Sequence, residues 1–119
     1  MKKLDKGQIL IKEGAVEKQF YVVMRGRFGV YKNGKELLQI DTEGSTIGEL
    51  SGILQTPRSA TVIALEESTV IDIDAEPERL MKEHPDIAMG IMLDLAKRVL
   101  ATTEKYAELT EVFEYTLRK

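Results

Sequence analysis

What most limits how this chain can fold is the placing of its glycines: eight of the nine, at 7, 14, 26, 29, 34, 44, 48 and 52, fall in the first 52 of 119 residues. Between them lie short runs rich in β-branched and aromatic residues, at 8–12, 20–25, 28–32 and 37–41. Short strands with turn signals every eight to twelve residues or so indicate an all-β barrel or sandwich. Asn33-Gly34 marks a hairpin, because both central positions of a type I′ turn need positive φ. Two further strands are expected at 60–65 and 69–73, separated by the charged pair Glu66-Glu67.

At Asp74 the period changes. The segment Asp74-Ala75-Glu76-Pro77-Glu78 offers a helix cap, first-turn acids and a proline tolerated early in a helix. A short helix over about 75–83 should follow and break at His84-Pro85. From 86 to about 117 no proline intervenes, and Met92, Leu95, Val99, Thr102, Tyr106, Leu109, Phe113 and Thr116 recur at alternating spacings of three and four. That is a heptad seam on a helix too long for one small β domain to cover. The expected partner is its own copy in a parallel dimer, and the alternative is a helix folded back on the β domain.

The length suits one domain, with a β unit over 1–74 carrying the C-terminal helices of 75–119. With 43% hydrophobic and 31% charged residues, the composition is that of a globular protein and argues against disorder. The absence of cysteine removes disulfides, thiolate metal sites and cysteine nucleophiles. No signal peptide or bilayer-length apolar run is visible, so a soluble, cytoplasmic protein without membrane contact is expected. Net charge is −3, and its distribution says more: ten basic and seven acidic residues through Ala64, then seven basic and thirteen acidic. An acidic second half argues against direct DNA binding.

Residues 47–62 hold the chemistry: two glycines, one carboxylate, one guanidinium and several small hydroxyl residues between apolar ends. Gly48-Glu49-Leu50-Ser51-Gly52-Ile53 can turn tightly into a short helix whose free N–H groups receive an anion. Arg58 brings a planar fork suited to phosphate oxygens, and Ser59 with the Ala60 N–H adds donors beside it. Glu49, an acceptor when ionised, suits a sugar hydroxyl and offsets the arginine charge. The combination asks for a nucleotide with an accessible 2′-OH close to its phosphate.

Gly48-Glu49-Leu50 followed by Thr56-Pro57-Arg58-Ser59-Ala60-Thr61-Val62 resembles the phosphate-binding cassette of cyclic nucleotide-binding domains. That family includes the sensor domains of the catabolite activator and of cyclic AMP-dependent protein kinase regulatory subunits. Residues 84–87 and 100–105 are also similar to parts of the long helix in the activator. The resemblance implies a double-stranded β-helix, a jelly-roll-like β-roll, followed by a short helix and a long dimerisation helix. It implies cyclic AMP as ligand, with cyclic GMP the alternative because Ser59 leaves base preference open. It gives Glu49 the ribose 2′-OH and Arg58 the phosphate oxygens. Gly48, Leu50, Ser59 and Ala60 line phosphate and sugar, and Ser51 and Val62 complete the cassette set. Thr102 reaches the base from the same chain and Thr103 the pocket of the dimer partner; otherwise both are polar breaks in the seam. Gly52 departs from the large apolar residue usual in the family, a change expected to loosen the short helix.

A cupin-type metal enzyme shares the strand pattern, but this chain has a single histidine, His84, and no clustered ligands. No nucleophile with a base is legible either, so neither an enzyme nor a metal is expected. The chain ends at Lys119, where the activator family continues into a helix-turn-helix module. A regulatory sensor signalling through its helix to a separate, unknown protein is therefore expected. The alternative is a ligand-free scaffold that dimerises or binds other proteins. Glu49 and Arg58 would then be a surface ion pair.

Overall fold

The computed structural model describes residues 1–118, with side chains through Val112 and at Glu114. The seam positions Phe113 and Thr116 and the end expected to fray at Lys119 lie outside the described residues. Eight strands come first: β1 (Lys2–Leu4), β2 (Ile9–Ile11), β3 (Gln19–Arg25), β4 (Phe28–Lys32), β5 (Lys35–Ile40), β6 (Thr46–Ile47), β7 (Thr61–Ala64) and β8 (Ser68–Asp74). A short helix α1 (Glu49–Leu54) interrupts them between β6 and β7, and α2 (Pro77–Glu83) and α3 (Pro85–Arg118) follow. The backbone divides into two compact units, Met1–His84 and a helical unit beginning at Pro85.

In the first unit the strands form two antiparallel sheets, ordered β1-β8-β3-β6 and β2-β7-β4-β5. Alternation along each strand turns one set of side chains inward. Leu4, Tyr21, Val23, Ile47 and Val70 from one sheet meet Leu10, Ile11, Phe28, Val62 and Ala64 from the other. Each such aliphatic or aromatic side chain contributes roughly 1.5–3 kcal/mol by leaving water. Phe20 faces away from Tyr21 yet is also fully buried, and α1 packs on β3. Asn33 and Gly34 have φ of 53° and 77°, so β4 and β5 join through the two-residue turn read from the sequence.

The structure adds to the expectation in three places. The strands β1 and β6 were not foreseen; each gains its hydrogen bonds from a longer neighbour, β8 or β3. Within the segment 74–78 that offered a cap for α2, the cap is Glu76: its carboxylate accepts from the N–H of Glu78 at 3.3 Å and of Arg79 at 2.8 Å. Strand β8 runs through Asp74, whose carboxylate instead accepts from the Glu76 N–H at 2.9 Å. Gly52 is a close contact and not a loose point. A β-carbon there would lie 3.0 Å from the Gln19 carbonyl oxygen and 3.1 Å from the Ala75 β-carbon, so its bareness lets α1 sit down on β3.

The helical unit is a single 34-residue helix, about 51 Å long at about 1.5 Å per residue. Of its seam, Met92, Val99, Tyr106 and Leu109 are exposed, Tyr106 by 73%. Arg98 pairs with Asp94 at 2.8 Å one turn away on its flank. Among the described residues, no helix is long and apolar enough to cross a membrane.

Candidate functional site

The site begins where β6 ends. Gly48 caps α1 with φ 80° and ψ 14°, a left-handed conformation that reverses the chain into the helix. Gly48, having no side chain, gives α1 no side-chain cap. The helix closes at Gln55, itself left-handed at φ 58°, with the Thr56 N–H donating to the Ser51 carbonyl at 3.1 Å. Pro57 then ends any helical continuation, and the chain returns as the extended segment leading to β7.

Arg58 is locked into this return by its backbone. Its N–H donates to the Ala15 carbonyl at 2.7 Å, and its carbonyl accepts from the Gly14 N–H at 2.8 Å. The side chain is 2% exposed and points back at α1. Nη1 donates to the Gly48 carbonyl at 2.7 Å and to Ser51 Oγ at 3.0 Å, and Nη2 donates to the Gln19 carbonyl. The guanidinium thus ties α1 to the first residue of β3. Its Nε is buried and has no hydrogen-bond partner.

Glu49, the first residue of α1, is 5% exposed, so neither it nor Arg58 belongs to a surface ion pair. The structure brings Gly48, Glu49, Ser51, Arg58, Ser59 and Ala60 into one turn-and-return in the first unit. Leu50 lies on the exposed side of α1, whereas Val62 is buried in the inter-sheet cluster and anchors the return. Thr102 and Thr103 are exposed on α3, in the helical unit, where the Thr103 hydroxyl donates to the Val99 carbonyl at 2.9 Å. That bond within its own helix is a common resting place for a threonine hydroxyl.

Several residues that hold the site gave no signal in the sequence. Gln19 and Ala15 act through carbonyls and Gly14 through its N–H, groups that every residue carries. Thr61 Oγ1 accepts from the Glu13 N–H at 3.1 Å, and Lys32 Nζ donates to the Ser59 carbonyl at 2.9 Å. Together they clamp the return segment from both sides. Among the described residues, no group of three or more histidines or carboxylates is placed to hold a metal ion.

The chain is similar to a known set of proteins. The cyclic nucleotide-binding domain family matches residues 1–83. A cAMP-dependent protein kinase regulatory subunit from Blastocladiella emersonii is 33% identical over 88 residues, 70% of this chain. The chain spans 22% of the length of that subunit. The Thermus thermophilus catabolite activator protein superposes with a TM-score of 0.76 over 92% of this chain and 54% of its own, at 22% identity, a likeness of fold. PKAR CBD2 with Sp-2Cl-cAMPS bound superposes with a TM-score of 0.66 at 25% identity, covering 87% of this chain and 66% of its own.

Proposed function

The chain belongs to the cyclic nucleotide-binding domain family, and on that premise we propose that it is a regulatory sensor module that binds cyclic AMP. The observation that carries the reading is the buried Nε of Arg58, a charged donor without an acceptor, on a side chain bonded to the Gly48 turn. Leaving such a donor unpaired costs about 1–3 kcal/mol, and a phosphate oxygen would remove that penalty. In this reading Arg58 holds the phosphate with the Ser59 hydroxyl and the Ala60 N–H. Glu49 accepts from the ribose 2′-OH, and Gly48 keeps the turn open. The names of two relatives, a cAMP-dependent kinase subunit and a domain bound to a cyclic AMP analogue, support cyclic AMP ahead of cyclic GMP. Such a module needs no metal and performs no catalysis, and we place it in the cytoplasm.

Calorimetric titration tests the reading. Cyclic AMP should bind, cyclic GMP more weakly, and linear AMP at least about tenfold more weakly, since an open phosphate adds charge and loses the fixed ring. Failure of every cyclic nucleotide to bind would favour a ligand-free scaffold instead.

The output of the module is its helix. The exposed apolar seam of α3 is suited to pairing with a second copy, and a downstream protein would read the change. Ligand can shift that pairing only by as much as its affinity differs between the two states. Sedimentation with and without cyclic AMP should show a dimer whose dissociation constant changes on binding. A strict monomer would sink the pairing, and an unchanged constant would sink the coupling.

A further inference from the structure

We propose that Lys32 is a positioning residue for the phosphate: its ammonium fixes the Ser59 carbonyl and so aims the Ala60 N–H at the ligand. The inference rests on the cyclic nucleotide reading above. Lys32 is the last residue of β4, and β4 pairs with β7 in a register that sets Tyr31 opposite Thr61. One step past the end of that ladder, Lys32 reaches across to the return segment. Its Nζ donates to the Ser59 carbonyl at 2.9 Å.

The consequence follows from peptide geometry. Among the described residues no peptide bond is cis, so the Ser59 carbonyl and the Ala60 N–H point in opposite directions across one plane. Holding the carbonyl on the β4 side turns the N–H to the opposite edge of the segment. Among the described residues, no protein acceptor takes that N–H. On one side the Arg58 backbone is anchored to residues 14 and 15; on the other, Thr61 is held in β7. The Ser59–Ala60 peptide lies between these anchors, and Lys32 is the side chain that sets its tilt. A cation on the carbonyl also polarises the peptide and makes its N–H a better donor.

The test uses the full chain with Lys32→Met and Lys32→Arg. Cyclic AMP and its Sp and Rp phosphorothioates, which label the two exocyclic oxygens separately, are titrated at low and high salt. Lys32→Met should weaken cyclic AMP about fivefold, the worth of one modest hydrogen bond. The loss should persist at high salt and change the ratio between the two phosphorothioates, because one oxygen loses its aligned donor. Lys32→Arg should restore most of the affinity. The unfolding midpoint should not move, since Lys32 is exposed. Three results overturn the role of Lys32 while leaving the nucleotide reading intact: unchanged affinity in Lys32→Met, a loss erased by salt, or an equal loss for both phosphorothioates. Failure of the unmodified chain to bind any cyclic nucleotide overturns both.

Discussion

Arg58→Ala should remove nearly all cyclic nucleotide affinity and at the same time make the free protein less stable. The two losses have different origins. In the bound state the guanidinium is the cation that meets the phosphate, and truncating one partner of a buried, charge-assisted contact costs about 2–5 kcal/mol. In the free state the same group ties the Gly48 and Gln19 carbonyls together. The Gly48 carbonyl keeps its bond from the Gly52 N–H at 3.0 Å, so the Gln19 carbonyl, on the β3 side of the tie, bears most of the loss. Gln19 is half-buried, so the lost bond is worth about 0.5–1.5 kcal/mol, which sets the expected fall in unfolding free energy. Arg58→Lys should fall between, because one ammonium cannot span both carbonyls and a phosphate. Denaturant unfolding and calorimetric titration read the two effects independently. An affinity loss under about 0.5 kcal/mol contradicts the phosphate role, being within the range of an ordinary surface substitution. Wild-type stability in Arg58→Ala would show that the tie to β3 is not structural.

How much of this was legible beforehand depends on the kind of group involved. Strands with alternating apolar residues declared themselves, and the Asn33-Gly34 turn set Lys32 opposite Lys35 and Tyr31 opposite Glu36, beyond which an irregularity shifts the register of β4 against β5. β1 and β6 did not, because Lys2–Leu4 has a single apolar residue and Thr46–Ile47 is only two residues long; they are strands only by virtue of what they pair with. Asp74 could end a strand or cap a helix, and only the length of β8 decides between them. The identities of Glu49 and Arg58 pointed to a nucleotide because carboxylate and guanidinium chemistry is specific to those side chains. Apart from Ser51 Oγ, the cage around Arg58 was invisible for the opposite reason, being built from main-chain groups of Gly14, Ala15, Gln19 and Gly48. Gly52 belongs to the same class. A residue chosen for the space it leaves, where Gln19 and Ala75 approach, reads in sequence as a weak helix former.

The cage makes a second large effect predictable, at Gly48. An alanine there meets two obstacles. The left-handed backbone, φ 80°, costs a residue with a β-carbon roughly 1–2 kcal/mol. The new β-carbon would also lie 2.6 Å from Arg58 Nη1 and 2.8 Å from Ile11 Cδ1. Ile11 is 3% exposed in the core, and Arg58 is pinned at both backbone and side chain, so neither can move aside cheaply. Overpacking of this kind adds about 1–3 kcal/mol. Gly48→Ala should therefore destabilise the protein by about 2–5 kcal/mol in all and reduce cyclic AMP affinity at least about tenfold, because the guanidinium must leave its place. Gly34→Ala supplies the control. Its φ is 77°, but no atom lies within 4 Å of where its β-carbon would stand. It should show the backbone penalty alone and bind cyclic AMP normally. Equal stability losses in the two variants, with affinity retained in both, would mean that the Gly48 turn does not confine Arg58.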